Sequence, residues 1–378
     1  MMLHNSVAAV PTPFQGGSYH ALIIGNNNYQ DEQGAWKSLK NPINDAMSVA
    51  DVLKRRYAHS EVNIRLLTDA TRGEILGALN ELSEQVNASD SVIVFYAGHG
   101  YLKEKTGEAF WIPVDAQGTD ETNYLNHETI KRKLGIIADN ANHVLLVSDS
   151  CFSGNLVRGI IFKPDDITPD YYSKKAKLKS IQVVAAGGEE FVDDNFRSTG
   201  HSPFTYFFLN ELENNANQYL AVSEFVNNIE KNVANSVKQT PILGRLYGAG
   251  DESGEFIFTQ IKLSKADIEN EITQLLKSAE NYFKQENFVS PPGNNARKRW
   301  EEVLRLDTSN RTAVQGLTRI AKYYVTMAKK HIENKRFDEA KKSLKIASDV
   351  KPGYPKIKSA QESLEKERDY ISPPIITW

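Results

Sequence analysis

Short apolar runs alternate with longer amphipathic stretches through the first two thirds of the chain. The runs are rich in β-branched residues and bounded by Gly, Asp or Asn, a pattern typical of buried strands. They predict strands at 19–25, 62–68, 91–97, 143–149, 181–186 and 241–247. Apolar residues three or four positions apart predict helices between the strands, for example at 43–57 and 72–86. Such alternation indicates an α/β fold, with a mostly parallel central sheet of about six strands flanked by helices.

The pattern changes to uninterrupted helical periodicity after residue 262. Five helices are predicted, at 268–285, 296–306, 313–334, 337–348 and 354–370. The segments 304–313 and 346–360 have similar sequences, which suggests an imperfect repeat of helical hairpins. This region resembles tetratricopeptide repeats, and an ordinary helical bundle is the alternative. An all-α helical-repeat domain is therefore expected at 263–378.

Charge changes at the same position. Of the 378 residues, 45 are Lys or Arg and 48 are Asp or Glu, a net charge of −3. Residues 1–262 hold 23 basic and 32 acidic side chains (net −9), whereas residues 263–378 hold 22 and 16 (net +6). We therefore expect three parts: an N-terminal tail at 1–18, an α/β domain at 19–262 and the helical domain at 263–378.

The composition excludes several classes of protein. One cysteine cannot form an intramolecular disulfide or a Cys-rich zinc site. No apolar run approaches the roughly 18 residues of a membrane span, and the N-terminus lacks the pattern of a signal peptide. We expect no membrane association and a cytoplasmic location. Nucleic-acid binding is not expected either, because the helical domain carries only a dispersed +6 charge and no known motif.

Two chemically reactive side chains follow neighbouring strands of the predicted sheet. His99 lies between glycines just after the run 91–97, and Cys151 follows the run 143–149. The carboxyl ends of parallel strands meet at one edge of a sheet, where open α/β folds bind their ligands. A thiol and an imidazole are the minimum for nucleophilic acyl transfer. The pattern thus predicts a catalytic Cys151–His99 dyad with a spacing of 52 residues.

The segments around these residues resemble the caspase and metacaspase family of cysteine peptidases. The resemblance rests on LIIGNNNYQ, LKNPINDA, FYAGHG, FWIPVDA, DSCFSG, GHSPFTYFFLNEL and QTP. It covers about two thirds of the chain, and Asp-Ser-Cys-x-Ser-Gly is nearer to metacaspases. It implies a large-subunit part at 19–155, a linker at 156–180 and a small-subunit part at 181–262. It also implies an oxyanion hole at the backbone N–H groups of Gly100 and Cys151.

The resemblance further implies a substrate pocket lined by two acidic residues, which match Asp45 and Asp149 here. Two carboxylates in a partly closed pocket attract Arg or Lys and repel Asp. The sequence therefore predicts an endopeptidase that cleaves proteins or peptides after basic residues. The alternative function is a catalytically inactive scaffold of the same fold, which binds its partners through the helical repeats.

Calcium, a ligand of many metacaspases, is not expected. Asp115 matches one of the family's acidic ligands, but the expected Asp-Asp pair falls on Asn126 and His127, and Arg158 replaces another acid. Three replacements remove most of the carboxylate oxygens that Ca²⁺ prefers. No cofactor is therefore predicted.

Two further predictions concern regulation. Lys174, Lys175, Lys177 and Lys179 cluster in the linker, which is cut during activation in relatives, so self-cleavage after these lysines is expected if the pocket selects basic side chains. Alternatively, the cluster is a solvated loop. The region 263–378 is expected to bind a protein partner and to regulate the peptidase.

Overall fold

The computed structural model describes residues 17–57, 63–118, 120–151, 158–160, 168–187, 196, 199–246, 250–261, 265–290 and 295–371. The contacts divide the chain into two compact units, Met1–Lys262 and Leu263–Trp378. The predicted tail at 1–18 lies outside the described residues except for its last two positions. The subdivision of the α/β domain into subunit parts and a linker stays a prediction.

The first unit contains three sheets within the described residues. Its strands are β1 (Tyr19–Gly25), β2 (Asn63–Thr68), β3 (Ser91–Ala97), β4 (Gly100–Lys103), β5 (Glu108–Trp111), β6 (Leu125–Asn126), β7 (His143–Asp149), β8 (Arg158–Ile160), β9 (Ser180–Ala185), β10 (Tyr219–Ala221), β11 (Ile242–Arg245) and β12 (Ile257–Thr259). Its helices are α1 (Pro42–Arg56), α2 (Arg72–Gln85), α3 (His127–Asn140), α4 (Pro169–Lys175), α5 (Pro203–Asn214) and α6 (Val222–Ala234).

The central sheet has the strand order β2-β1-β3-β7-β9-β11-β8 in the part of the chain that is described. The pairs among β2, β1, β3, β7 and β9 are parallel. Strand β11 pairs antiparallel with both of its neighbours, β9 and β8. The predicted mostly parallel sheet is confirmed, with the short strand β8 added at one edge. Two smaller antiparallel sheets, β4-β5-β6 and β10-β12, were not predicted.

The sheet is covered on both faces, as the alternation of its side chains requires. Ala21 and Ile23 belong to one apolar cluster with residues of α1, α5 and α6, whereas Leu22 and Ile24 belong to another with residues of α2 and α3. Successive strand residues point to opposite faces, so a continuous apolar run fills two cores at once. This arrangement leaves the carboxyl ends of β1, β3 and β7 together at one edge.

The second unit is helical in its described part. Its helices are α7 (Lys265–Lys284), α8 (Ala296–Leu306), α9 (Arg311–Glu333), α10 (Phe337–Val350) and α11 (Pro355–Ile371). Two apolar clusters hold them, one around Trp300 and one around Leu344. The predicted helical character is confirmed, whereas the tetratricopeptide repeat stays a prediction. Among the described residues of the whole chain, no helix is sufficiently long and apolar to span a membrane.

Candidate active site

The four side chains singled out by the sequence line one pocket at the carboxyl edge of the sheet. Asp149 is the last residue of β7 and lies opposite Ala97, the last residue of β3. Asp45 lies in the first turn of α1, which starts directly above the end of β1 because Gly25 has no side chain to block it. The described lining of the pocket is Leu39, Pro42, Asp45, Ala97, Gly98, His99, Asp149, Ser150, Cys151, Ser202, Pro203 and Gln239. Asp45, His99, Asp149 and Cys151 are thus brought together.

The imidazole of His99 is held by aromatic rings and by a backbone carbonyl. Its centroid lies 4.6 Å from that of Tyr29 and 5.6 Å from that of Trp36. Nε2 lies 2.8 Å from the carbonyl oxygen of Lys37. A carbonyl can only accept a hydrogen bond, so Nε2 carries a hydrogen, and in the neutral ring Nδ1 is the basic nitrogen. The side chain is therefore oriented as a base with one defined acceptor atom.

The backbone of His99 is fixed by the same aromatic residue. Its N–H donates to the Tyr29 hydroxyl over 2.8 Å. A Cβ atom at Gly98 would lie 2.8 Å from that hydroxyl, closer than real contacts allow, so glycine at this position lets Tyr29 reach the backbone. Tyr29 thus contacts both the ring and the main chain of His99.

Cys151 follows β7 and is partly buried. Burial, together with the charge of Asp149, raises the pKa of its thiol to about 11. Beneath it, Trp111 Nε1–H donates to Ser148 Oγ over 3.0 Å, and Ser148 Oγ lies 3.1 Å from Ser150 Oγ. The thiol is neutral near pH 7, so it needs a base to become a nucleophile.

Gly100 is pressed against the main chain of Cys151. A Cβ atom at Gly100 would lie 2.1 Å from the Cys151 carbonyl oxygen and 3.2 Å from its nitrogen. Ile112 N–H donates to the His99 carbonyl, so the next pair in the antiparallel ladder, Gly100 with Trp111, is of the non-hydrogen-bonded kind. The Gly100 N–H therefore points away from β5. Gly100 and Cys151 lie next to each other, as an oxyanion hole built from their N–H groups would need.

The two carboxylates have different partners. Asp45 Oδ1 lies 2.6 Å from Nδ1 of His201, and Asp45 Oδ2 accepts the Ser202 N–H over 3.4 Å. Asp149 Oδ2 accepts hydroxyl hydrogens from Ser202 and Thr205, both over 2.5 Å. Burial raises the pKa of Asp149, while these two hydroxyls oppose that shift.

Sequence reasoning did not single out the residues that hold the acids. His201, Ser202 and Thr205 are more than 50 positions from Asp149 along the chain. The available signal was Ser202-Pro203, since Ser caps a helix whose first residue is Pro, and Ser202 does accept the Thr205 N–H. A helix N-terminus stabilises nearby anions, so the start of α5 is a favourable position for the carboxylates of Asp45 and Asp149.

The four linker lysines differ in their surroundings. Lys174 and Lys175 belong to helix α4, and Lys175 Nζ donates to the Ser253 carbonyl over 2.7 Å. Lys179 Nζ donates to the Ala138 carbonyl over 2.6 Å. Lys177 lies in an exposed turn. The predicted linker at 156–180 is described only in part, because residues 156, 157 and 161–167 lie outside the described ranges.

The residues at the family's calcium positions do not suit a hard cation. Asp115 Oδ1 accepts the Arg72 N–H over 2.9 Å, Asn126 caps α3, and both ring nitrogens of buried His127 lack a hydrogen-bond partner among the described residues. Within the described ranges no group of three or more His, Cys, Asp or Glu side chains is arranged to hold a metal ion. The side chain of Arg158 lies outside the described residues. A neutral amide and a buried imidazole do not replace two carboxylates. The absence of a cofactor stays a prediction.

Comparison with known proteins gives a family match over most of the first unit. The family described as the caspase domain matches residues 18–246. Metacaspase-1 of Schizosaccharomyces pombe is 26% identical over 252 residues, which cover 60% of this chain and 52% of that protein. Metacaspase-6 of Arabidopsis thaliana is 30% identical over 151 residues, covering 36% of this chain and 38% of that one. The chain therefore spans about half the length of these relatives, or less.

A solved structure also aligns with part of the chain. The Drosophila initiator caspase Dronc aligns with a TM-score of 0.42 at 13% identity, over 62% of this chain and 81% of that one.

Proposed function

The chain belongs to the caspase-domain family of cysteine peptidases, and on this basis we propose that it is an endopeptidase that cleaves after Arg or Lys. The observation that carries the proposal is the shared pocket, which is lined by a thiol, an oriented imidazole and two carboxylates. A scaffold has no need to combine these four groups.

The chemistry follows from the protonation states. Cys151 is a neutral thiol near pH 7, because burial raises its pKa to about 11. Nδ1 of neutral His99 accepts the thiol proton as Sγ attacks the scissile carbonyl carbon. The N–H groups of Gly100 and Cys151 then stabilise the negative oxygen. His99 returns the proton to the departing amine, and the amine leaves. Water, deprotonated by His99, then hydrolyses the thioester and restores the thiol.

The pocket accounts for the choice of substrate. Asp45 and Asp149 both line it. Among the described residues, the partners of the Asp149 carboxylate are the uncharged hydroxyls of Ser202 and Thr205. A cationic side chain before the cleaved bond would pair with these acids, whereas an acidic one would be repelled.

Self-cleavage of the linker is part of the proposal, and Lys177 is its best-placed site. A peptidase binds its substrate extended, so the bonds after Lys174 and Lys175 would first have to leave helix α4. Lys177 lies in an exposed turn and needs the least rearrangement. Intact-mass measurement of the purified protein tests this: cleavage at Lys177 in the wild type, and none in Cys151→Ala, is expected. An intact wild-type chain that still hydrolyses peptides would contradict it.

The basic helical unit is proposed as a protein-binding and regulatory module. The support is its net charge of +6 and its paired helices, since stacked helical pairs present broad surfaces to partners. Deleting residues 263–378 tests whether this unit regulates the peptidase. Unchanged peptidase kinetics in the truncated protein would contradict a regulatory role.

Fluorogenic peptides ending in Arg, Lys or Asp test the central proposal. We expect turnover of the Arg and Lys peptides, none of the Asp peptide, and none at all in Cys151→Ala. If no peptide is cleaved even after limited proteolysis, the inactive scaffold is the better description. Cleavage after Asp would contradict the proposed specificity.

A further inference from the structure

The described residues just before helix α5, which lead into the pocket-lining Ser202, are held by hydrogen bonds to their backbone. The Phe196 N–H donates to the His201 carbonyl over 2.7 Å, and Asn44 Nδ2 donates to the Gly200 carbonyl over 2.7 Å. Gly200 has a φ of +80°, a conformation that favours glycine. The Asn44 contact joins these residues to the first turn of α1, the helix that carries Asp45.

His201 holds Asp45 directly. Its Nδ1 lies 2.6 Å from Asp45 Oδ1, and the two residues are only 8% and 1% exposed. An ionised carboxylate can only accept a hydrogen bond, so Nδ1 carries the hydrogen and donates it. Asp45 belongs to the described pocket lining, whereas His201 does not. His201 therefore reaches the pocket through Asp45, and its Nδ1 also lies 3.3 Å from Nδ2 of Asn44.

Asp149 is held in a different way. Its partners Ser202 and Thr205 are uncharged hydroxyl groups, and no described residue of positive charge forms an ion pair with it. Ser202 also donates its N–H to Asp45, so one residue links both acids. The pocket thus contains Asp45, whose carboxylate is oriented by an imidazole, and Asp149, whose carboxylate is held by two hydroxyl groups.

We propose that His201 is a positioning residue for substrate selection: its hydrogen bond to Asp45 fixes this carboxylate beside Asp149, so that a basic side chain meets two oriented acids. The inference rests on the proposed function and deepens it. Without His201, the Asp45 carboxylate would lose the 2.6 Å hydrogen bond from Nδ1 and would no longer be held in this orientation. A carboxylate turned away from the substrate attracts its positive charge less strongly, while the Cys151–His99 dyad is left untouched.

Kinetics with two matched peptides test the proposal. The peptides carry Arg or its uncharged isostere citrulline before the cleaved bond. In His201→Ala we expect KM for the Arg peptide to rise about tenfold or more, with kcat within about threefold of wild type. The preference for Arg over citrulline should fall by a similar factor. His201→Asn, whose amide can donate from near the Nδ1 position, should retain most of the preference.

A control separates this effect from loss of stability. His20 and Asp90 form another buried His–Asp pair, 3.1 Å between Nε2 and Oδ2, at the amino end of the strands. His20→Ala should lower thermal stability while leaving the Arg-to-citrulline ratio unchanged. A ratio that is also unchanged in His201→Ala would overturn the proposal.

Peptide binding to the Cys151→Ala variant distinguishes failure of the peptidase proposal from failure of the positioning role of His201. Fluorescence anisotropy would measure the affinities of the labelled Arg and citrulline peptides with His201 present and replaced by Ala. If binding prefers the Arg peptide only when His201 is present, but the protein with Cys151 intact cleaves neither peptide, the peptidase proposal is wrong and the positioning role is supported. The absence of any preference in this background would overturn the positioning role.

Discussion

Nε2 of His99 lies 2.8 Å from the carbonyl oxygen of Lys37, on a loop that is organised by Asp31. The Asp31 carboxylate accepts N–H groups of Gln33, Trp36 and Gly118, at 3.0, 2.8 and 3.2 Å. Asp31→Ala should release this loop, loosen the imidazole and lower kcat about tenfold or more with little change in KM. Steady-state kinetics on an Arg peptide measure both constants.

The neighbouring acid provides the control for that prediction. Glu32 is exposed on the same loop, and Glu32→Ala removes the same charge without removing the three backbone contacts. Its kinetics should match those of the wild type. Equal losses in both variants would mean that loop charge, and not the Asp31 contacts, matters for His99.

Gly100→Ala should abolish most activity. Its Cβ would lie 2.1 Å from the Cys151 carbonyl oxygen, a backbone atom that cannot move without displacing the nucleophile's loop. We expect kcat/KM to fall about a hundredfold, as for loss of one oxyanion donor. Gly77→Ala in α2 has open space around its Cβ and should retain activity while gaining some helix stability. Full activity in Gly100→Ala would argue against the proposed oxyanion hole.

The sequence predicts the middle of the central sheet well, because β1, β3, β7 and β9 are short, buried apolar runs that can be identified without their partners. It predicts the hairpin of β4 and β5 and the short strands β10 and β12 poorly, since three or four residues carry too little periodicity. Helix α3 was also missed, although Ile130, Leu134 and Ile137 have helical spacing and are buried.

The residues of the candidate site also differ in how far the sequence predicts them. His99 and Cys151 stand out because glycine and serine surround them at strand ends. His201, Ser202 and the Lys37 carbonyl do not, because their roles depend on contacts between segments far apart in sequence. A backbone carbonyl has no sequence signal at all, so the orientation of His99 could be recognised only in three dimensions.

Alkylation of Cys151 should accelerate with pH through the alkaline range. Only the thiolate reacts, and burial raises the pKa to about 11, so the rate should rise about tenfold per unit between pH 7 and pH 10. Asp149→Asn removes a charge that raises this pKa and should shift the curve to lower pH. Iodoacetamide with intact-mass detection is unambiguous, because the chain has one cysteine. A plateau below pH 8 would instead indicate a thiolate–imidazolium pair.

Buried His127 should make the protein less stable in acid. Burial lowers its pKa from 6.5 to about 3, with Lys131 adding a smaller effect. Below pH 6.5 the unfolded chain binds a proton that the folded chain does not, so stability falls as pH falls toward 3, by up to about 1.4 kcal/mol per unit. His127→Leu removes this term and should reduce the loss of Tm between pH 6.5 and pH 4.5. Identical losses in both proteins would show that His127 is not responsible.

Gly316 in α9 should be irreplaceable in the helical unit, although alanine is the better helix former. A Cβ atom there would lie 2.2 to 2.6 Å from three carbons of the Trp300 ring, which is 1% exposed and has no room to retreat. Overpacking a core costs about 1 to 3 kcal/mol, whereas the gain in helix propensity is about 1 kcal/mol, so the clash should dominate. Hydrogen exchange followed by mass spectrometry should show faster exchange in α8 and α9 of Gly316→Ala. Gln315→Ala, at an exposed position of the same helix, should leave it unchanged. Protection equal to or above that of the wild type in Gly316→Ala would mean that the Trp300 ring moves aside and that the gain in helix propensity exceeds the cost of the clash.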